Sequence, residues 1–182
     1  IFRHLNFQFS TGTAYAITGP NGSGKSTLLQ VIAGALSASE GKIEYYTKSN
    51  QQHSGNPVDA DNFYRYLSFA APYLELIEEM TLLEFLHFHQ QFKPLLPSPS
   101  IPDIIQLIGL EKATHKQIRY FSSGMKQRVK LAQSVFSDTP VLLLDEPCTN
   151  LDAEGVALYQ QLITTYCKNR LIIVSSNDEM EY

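Results

Sequence analysis

Apolar residues along the chain form short continuous blocks, and longer segments with helical spacing lie between them. The strand-sized blocks are residues 13–18, 64–70, 141–144 and 171–174, and segments such as STLLQVIAGAL from Ser26 have the helical spacing. Alternation of strands and helices is typical of an α/β fold, and continuous apolar runs are typical of buried parallel strands. The pattern therefore predicts an α/β fold with a mostly parallel sheet.

The middle of the chain has a different pattern, which is helical from residue 73 to about residue 133. Thr81 and Glu84 have the spacing of a capping box before LLEFLHFHQQF. Ser100 is placed to begin a further helix that Gly109 ends. These signals predict a helical subdomain inserted into the sheet.

Two further segments complete the predicted elements. Residues 48–62 are rich in Asn, Gln, Ser, Gly and Asp, which favours an exposed connection. Residues 155–167 read as a helix between the last two strands.

Composition and charge argue against several classes of function. The 182 residues include 14 Lys and Arg against 18 Asp and Glu, for a net charge of −4, so nucleic acid is a disfavoured partner. The longest apolar runs are far shorter than the roughly 18 residues of a membrane span. Cys148 and Cys167 lack metal-ligand or redox spacing, which favours packed thiols in a reducing cytosol. His87 and His89 lie two positions apart, so they are not on one helix face and no metal site is expected there.

A phosphate-binding motif, GPNGSGKST, lies between the first predicted strand and the first predicted helix. Its glycines let the backbone approach phosphates closely, and the following helix contributes its positive end. Lys25 is expected to reach the β- and γ-phosphates and Ser26 to place its hydroxyl on Mg²⁺. The candidate nucleotide-binding residues of this loop are Gly19, Pro20, Asn21, Gly22, Ser23, Gly24, Lys25, Ser26 and Thr27.

A second motif, VLLLDEP, places two carboxylates at the carboxyl end of a predicted buried strand. Ligands of parallel sheets collect at that edge. Asp145 is the candidate Mg²⁺ partner, and Glu146 is placed to orient or deprotonate a water that attacks the γ-phosphate. An acidic pair that merely ends a strand is the alternative, and the phosphate loop argues against it.

A third motif, FSSGMKQR from Phe121 to Arg128, places small polar residues at the start of a predicted helix. Groups of this kind at a helix start can bind a phosphate. With the two motifs above, it makes the chain resemble the ATP-binding cassette (ABC) ATPases, whose signature Leu-Ser-Gly-Gly-Gln is matched by residues 121–125. The resemblance implies that Ser122, Ser123 and Gly124 close over ATP held by a second cassette in a head-to-tail dimer.

The resemblance covers essentially the whole chain, with some departures. TNLD resembles the loop that links the two sites of the family's dimer, which carries a role over to Asp152. The family usually has a glutamine after the second predicted block, where this chain has Ala71 and Pro72, and a histidine at the γ-phosphate, where it has Asn177. Asparagine donates hydrogen bonds but carries no positive charge, so these departures concern the hydrolysis rate.

The resemblance implies one ABC ATPase domain over residues 1–182, with a P-loop NTPase core and a helical subdomain at about 73–133. It implies ATP and Mg²⁺ as cofactors, membrane-spanning subunits as partners, and a cytoplasmic position on the inner face of the cell membrane. The adenine-stacking aromatic and the final strands of the family are expected outside the sequence, as in a fragment. Two alternatives stay open: a soluble ABC protein of translation or DNA repair, and a degenerate cassette that binds ATP as a switch.

Overall fold

A four-stranded parallel sheet forms the centre of the protein, in a computed structural model that describes residues 2–47 and 55–182. The strands in the described chain are β1 (Ala14–Ile17), β2 (Tyr45–Tyr46), β3 (Pro57–Val58), β4 (Leu67–Ala70), β5 (Val141–Asp145) and β6 (Leu171–Ser175). The central sheet has the order β1-β6-β5-β4 and all its neighbours are parallel, whereas β2 and β3 pair as an antiparallel ribbon. The carboxyl ends of the four central strands therefore meet at one edge.

Helices cover both faces of the central sheet. The α-helices in the described chain are α1 (Lys25–Ile32), α2 (Leu82–Phe92), α3 (Ile101–Leu107), α4 (Ser123–Val135) and α5 (Ala153–Tyr166). Short 3₁₀ helices lie at Ala60–Tyr66, Glu111–Ala113, Ile118–Tyr120 and Glu179–Glu181. This arrangement confirms the predicted α/β fold.

Strand β5 shows how the two faces are filled. All of its residues are buried, and their side chains alternate between two apolar clusters. Leu142 and Leu144 pack in the cluster that also contains residues of α2, α3, α4 and α5. Leu143 packs on the opposite face with Leu29 of α1 and Ile173 of β6. Burial on both faces explains why this strand is a continuous apolar run in the sequence.

The helix signals in the middle of the chain are confirmed. Thr81 caps α2 in a complete capping box with Glu84, and Ser100 caps α3 in the same manner. Gly109 follows α3 with a φ of 69°, a conformation that glycine adopts without a steric penalty. The helical residues share a core with one face of the sheet.

The sequence prediction was wrong at two element boundaries. Residues 64–66 were predicted as the start of a strand, but they end a 3₁₀ helix whose first turn is capped by the Asp59 side chain. In this turn Phe63 is buried against Tyr45, with ring centroids 3.6 Å apart. The first helix ends at Ile32, earlier than predicted, because the chain turns at Gly34 with a φ of 75°.

The predicted exposed connection at 48–62 lies partly outside the described residues, and its described end contains β3 and the start of a 3₁₀ helix. Both cysteines are free thiols, with Cys167 fully buried and Cys148 half-buried. Within residues 2–47 and 55–182, no helix is long and apolar enough to cross a membrane.

Candidate functional site

The phosphate loop connects the carboxyl end of β1 to the start of α1, as the motif requires. Gly22 and Gly24 have φ angles of 81° and 97°, which bulkier residues adopt only with strain. A side chain at Gly19 would lie 3.0 Å from the Ser23 hydroxyl oxygen. The glycines are therefore required by the tight path of the loop.

The amino end of α1 is available to an anion. Gly24 occupies the cap position, and no side chain of the described chain caps the helix or places a carboxylate in its first turn. The uncapped N–H groups carry partial positive charge and lack an intrahelical partner. Ser26 and Thr27, in this first turn, are half-buried. Phosphate oxygens are the groups that this helix end is suited to bind.

Lys25 is folded over the phosphate loop. Its side chain is only 6% exposed, and its Nζ donates to the carbonyl oxygen of Gly19 at 2.8 Å and to that of Pro20 at 3.4 Å. Carbonyl oxygens are weaker partners for an ammonium group than charged phosphate oxygens. The lysine is thus held at the loop in a position from which a phosphate can replace the carbonyls.

Asp145 ends β5 at the same edge of the sheet. It is 2% exposed, and its Oδ1 has no hydrogen-bond partner within the described residues. A buried carboxylate oxygen without a partner is costly unless a cation or a donor occupies the space beside it. This donor fits Mg²⁺, which prefers carboxylate and hydroxyl oxygens, and Ser26 is the hydroxyl candidate on α1.

Glu146 follows with an unusual backbone conformation. Its φ is 42°, and its backbone N–H donates to the carbonyl of Ser175 at 2.9 Å. Its side-chain Oε2 accepts a long hydrogen bond from the Thr149 hydroxyl at 3.5 Å. A left-handed conformation at a residue other than glycine costs about 1–3 kcal/mol and is frequent at functional sites. The backbone of Glu146 is therefore fixed at the position after Asp145, with the carboxylate near the Thr149 hydroxyl.

Asn177 lies against the phosphate loop. Its Oδ1 accepts from the Gly19 backbone N–H at 3.2 Å, and its Nδ2 donates to Asn21 Oδ1 at 3.0 Å. The residue follows β6, which pairs with β1 in the sheet, so the fold brings its side chain to the loop. The structure thus joins the loop, the carboxylates and Asn177 at one edge.

Ala71 and Pro72 follow β4, and Ala71 is fully buried. The next residue, Tyr73, places a hydroxyl at this edge, where it accepts a hydrogen bond from Gln30 Nε2 at 3.0 Å. Burial raises the pKa of Tyr73, and the nearby Asp145 carboxylate also raises it. Neither Tyr73 nor Gln30 belongs to a motif, so the sequence did not predict this contact.

The signature stretch lies at the start of α4. Ser122 caps the helix, and its Oγ accepts from the Met125 backbone N–H at 3.2 Å. Ser123 is exposed, and a side chain at Gly124 would lie 3.0 Å from the carbonyl oxygen of Asn150. Gly124 is therefore required by close packing of the two loops.

Further along α4, two side chains bind the loops of the site. Buried Gln127 donates through Nε2 to the carbonyl of Pro147 at 2.7 Å. Lys130 donates through Nζ to the carbonyl of Pro72. These contacts connect the signature helix to the segments that follow β5 and β4.

Asp152 has two structural partners. Its Oδ1 caps α5 by accepting from the Gly155 N–H at 2.8 Å, and the same atom lies 3.5 Å from Arg128 Nη2. Asp152 and Arg128 line a cavity of about 500 Å³ together with the signature residues Ser122 to Met125. None of the phosphate-loop residues, all of which are described, lines this cavity. The phosphate loop and this cavity are therefore two separate surfaces of the chain.

A glycine-rich loop between a parallel strand and a helix, beside an acidic strand end, defines a phosphate-loop nucleotide-binding protein. A protein-family model described as ABC transporter matches residues 2–149. The chain therefore belongs to the ABC transporter family, as an ATP-binding cassette of its ATPases. This finding confirms the family and the fold class predicted from the three motifs.

Relatives and solved structures agree with this assignment. The cytochrome c biogenesis ATP-binding export protein CcmA of Xylella fastidiosa (strain 9a5c) is 33% identical over 162 residues, which cover 89% of this chain and 70% of the relative. The uncharacterized ABC transporter ATP-binding protein YybJ of Bacillus subtilis (strain 168) is 29% identical over 181 residues, which cover 100% of this chain and 80% of the relative. A dimeric, post-hydrolysis structure of the cassette MJ0796 bound to ADP and Pi has a TM-score of 0.76 at 25% identity, covering 96% of this chain and 78% of that one.

Proposed function

We propose that this chain binds and hydrolyses ATP with Mg²⁺ and, by closing on a second cassette, powers a membrane transporter. The observation that supports the proposal is that the phosphate loop and the cavity at the start of α4 are separate surfaces of the chain. The loop around Lys25 and the cavity around Ser122 share no lining residue. Two chains arranged head to tail would bring the first surface of one chain against the second surface of the other.

The loop half of the site would hold the nucleotide. Lys25 would exchange its two carbonyl partners for phosphate oxygens, and the uncapped N–H groups of α1 would donate to the same phosphates. Asn177 already holds the loop through Gly19 and Asn21, so its amide group would lie beside the terminal phosphate. Preorganised donors of this kind do not have to be ordered when the nucleotide arrives.

The acidic half of this site would hold the metal and activate water. Asp145 and Ser26 would hold Mg²⁺, since the buried carboxylate oxygen of Asp145 lacks a protein partner in the described chain. Bound Mg²⁺ would neutralise charge that develops on the β- and γ-phosphate oxygens. Glu146, fixed by its backbone hydrogen bond to Ser175, would orient or deprotonate the attacking water.

The second surface would complete the partner's site. Ser123 is exposed and lines the cavity together with Ser122 and Gly124 at the start of α4, so these residues would meet the terminal phosphate bound by the other chain. Asp152, which is joined to Arg128 in this cavity, would lie at the same contact. Either a second copy or a related cassette would serve as the partner.

Motion produced by closure would pass to membrane-spanning subunits through the helical region at about 73–133. The cassette would then lie on the cytoplasmic face of the membrane, as a peripheral subunit. The net charge of −4 supports a protein partner in preference to a nucleic acid.

A second candidate function is an ATP-binding switch with little hydrolysis. Asn177 is neutral, and Ala71 and Pro72 carry no polar side-chain group, so the attacking water has fewer positioning groups than the family pattern provides. Turnover by the full-length protein distinguishes the two candidates. A measurable rate that depends on Mg²⁺ supports hydrolysis, and stable binding without product supports the switch.

Light scattering on the Glu146→Gln variant of the full-length protein tests the proposed cycle. The amide keeps the size of the side chain but cannot act as a base, so the variant should bind ATP and Mg²⁺, stop turning over and accumulate as a dimer. Glu154→Gln, at an exposed position of α5, is the matched control and should behave like the parent. A Glu146→Gln variant that hydrolyses ATP at the parental rate would contradict the role of Glu146.

A further inference from the structure

We propose that Glu181 is a positioning residue for ATP hydrolysis, because it holds the Pro147–Cys148 peptide unit in place beside Glu146. This inference rests on the proposed function, in which Glu146 acts on the attacking water. Glu181 lies outside the three sequence motifs.

The peptide unit between Pro147 and Cys148 is held by a side chain at each end. The Cys148 N–H donates to Glu181 Oε1 at 2.7 Å, and the Pro147 carbonyl accepts from Gln127 Nε2 at 2.7 Å. Gln127 and Glu181 are 2% and 6% exposed, so water does not readily replace either bond. Proline has no N–H, so the Cys148 N–H is the first backbone donor after that of Glu146. The orientation of this peptide unit therefore depends on Glu181.

The same peptide unit lies at the centre of the turn that follows the candidate catalytic carboxylate. The Thr149 N–H closes this turn by donating to the Glu146 carbonyl at 3.1 Å. Turn types I and II differ chiefly in the orientation of the central peptide unit, so a change there would move Thr149 relative to Glu146. The Thr149 hydroxyl is the group that contacts Glu146 Oε2, at 3.5 Å. Fixing the peptide unit therefore fixes the surroundings of the carboxylate.

Backbone strain on both sides of the peptide unit makes its attachment more important. Glu146 has a φ of 42° and Asn150 a φ of 66°. Left-handed conformations at residues other than glycine persist where the surrounding contacts hold them. The hydrogen bonds from Gln127 and to Glu181 are buried contacts of this kind, placed between the two strained residues.

Glu181 is itself fixed by helix α5. The Tyr159 hydroxyl donates to the Glu181 carbonyl at 2.7 Å, and Gln160 Nε2 donates to the carbonyl of the preceding residue at 3.0 Å. The segment that carries Glu181 follows β6 and also carries Asn177, which contacts the phosphate loop. One short segment thus connects the two groups that are proposed to act at the terminal phosphate, Asn177 and Glu146.

The carboxyl group of Glu181 is a costly means of stabilising a turn. Its Oε2 is buried and has no hydrogen-bond partner within the described residues, and an unpartnered buried acceptor lowers stability. An apolar side chain of similar size would not leave this oxygen buried. Loss of Glu181 should therefore affect the turnover rate more than ATP binding or net stability.

Steady-state kinetics and calorimetry on the full-length protein test this role. Glu181→Leu leaves the Cys148 N–H without its acceptor, so we expect kcat to fall about tenfold and the affinity for ATP with Mg²⁺ to change less than about twofold. Glu181→Gln keeps an acceptor oxygen at the same reach and should keep kcat within about threefold of the parent. Glu179→Leu, at an exposed position of the same 3₁₀ turn, is the matched control and should keep the parental kcat.

Hydrogen exchange without nucleotide gives a readout that is independent of activity. Exchange at the Cys148 amide should be about tenfold faster in Glu181→Leu, because the opened amide has no acceptor to return to, and close to the parental rate in Glu181→Gln. Parental exchange in Glu181→Leu would overturn the role assigned to this hydrogen bond.

Two further variants separate positioning from stability. Thr139→Val loses a buried hydroxyl at the opposite edge of the sheet, so it should lower the stability to urea and keep the parental kcat. If Glu181→Leu does not fold, Glu181→Asp replaces it in both measurements. The shorter side chain withdraws the acceptor by one methylene group and should also lower kcat severalfold.

The possible results separate this inference from the proposed function. A parent that does not hydrolyse ATP contradicts the proposed hydrolysis, and the role of Glu181 in it. A parent that turns over ATP while Glu181→Leu, or Glu181→Asp in its place, keeps the parental kcat overturns the role of Glu181 alone. An equal loss of kcat in Glu181→Gln or in Thr139→Val also overturns it, because the acceptor oxygen would then not be the cause.

Discussion

The side-chain oxygen of Asn177 accepts a hydrogen bond of 3.2 Å from the backbone N–H of Gly19, although the two residues lie 158 positions apart. The other end of the same amide donates to Asn21. One side chain therefore spans the start of the phosphate loop from the end of β6. A substitution at position 177 would therefore change the contacts that hold the phosphate loop.

Replacing Asn177 by histidine and replacing it by alanine should change the ATP turnover rate in opposite directions. Asn177→His introduces a group that can carry positive charge beside the terminal phosphate, so the rate should rise severalfold. The gain should stay modest because Ala71 and Pro72 still leave the attacking water with few partners. Asn177→Ala removes two neutral hydrogen bonds of about 0.5–1.5 kcal/mol each and should lower the rate. Steady-state ATPase assays measure the rates of both variants, and Asn169→Ala, at an exposed position, is the control. Unchanged rates in both Asn177 variants would place Asn177 outside the active site.

Lys25 supplies the fixed positive charge of the phosphate loop. Lys25→Ala should weaken ATP binding by more than about 1.5 kcal/mol, the range of a charge-assisted hydrogen bond, or abolish detectable binding. Lys168→Ala removes an exposed lysine after α5 and serves as the control. Isothermal calorimetry checks the prediction, and an unchanged affinity would contradict the assignment of the loop.

Ser122 lies at the second phosphate surface, and bulk there should block closure. Ser122→Arg should leave ATP binding by the monomer intact and prevent the ATP-dependent dimer, because the added side chain fills the partner's site. The substitution also removes a helix cap, which costs about 0.5–2 kcal/mol. Ser100→Arg removes the equivalent cap of α3 outside the cavity, so it separates the two effects. Light scattering and ATP binding are measured for both, and equal loss of monomer binding in Ser122→Arg would contradict the signature role.

His89 should make the stability of the protein depend on pH. Burial lowers its pKa below the ordinary 6.5, and the Lys93 ammonium lowers it further, so the folded state resists protonation. The unfolded chain takes up the proton first, and stability is therefore lost as the pH falls below about 6.5. His89→Gln should weaken this dependence, whereas His87→Gln, at an exposed position of the same helix, should preserve it. Urea denaturation at pH 7.5 and pH 5.5 gives the free energy of unfolding at each pH. If the parent and His89→Gln lose the same free energy of unfolding between the two pH values, the prediction is contradicted.

The sequence predicted those parts of the fold whose signals are local. The capping boxes of Thr81 and Ser100 and the buried run of β5 depend on neighbouring residues, and all three were found where the pattern placed them. Residues 64–66 were misread because their aromatic residues favour a strand. The Asp59 cap and the stacking of Phe63 on Tyr45 determine the 3₁₀ helix instead.

In the candidate site, too, the sequence predicts the contiguous motifs but not the contacts between distant residues. Its motifs are contiguous in sequence, so the phosphate loop, the strand-end carboxylates and the signature could be identified from the residues alone. The contact between Gln30 and Tyr73 is not contiguous and follows no motif spacing. The fold brings the two side chains together by placing the loop after β4 within hydrogen-bond distance of Gln30 on α1.

Gln127 and Lys130 give α4 a mechanical role. Each donates to the carbonyl of a proline, one after β5 and one after β4, so a single helix is fastened to two neighbouring loops. Rotation of the helix about its axis would break both bonds, and the bond of Gln127 is buried where water does not readily replace it. A displacement of the loops at Pro72 and Pro147 would therefore also pull on α4, whose amino end carries Ser122 and Gly124.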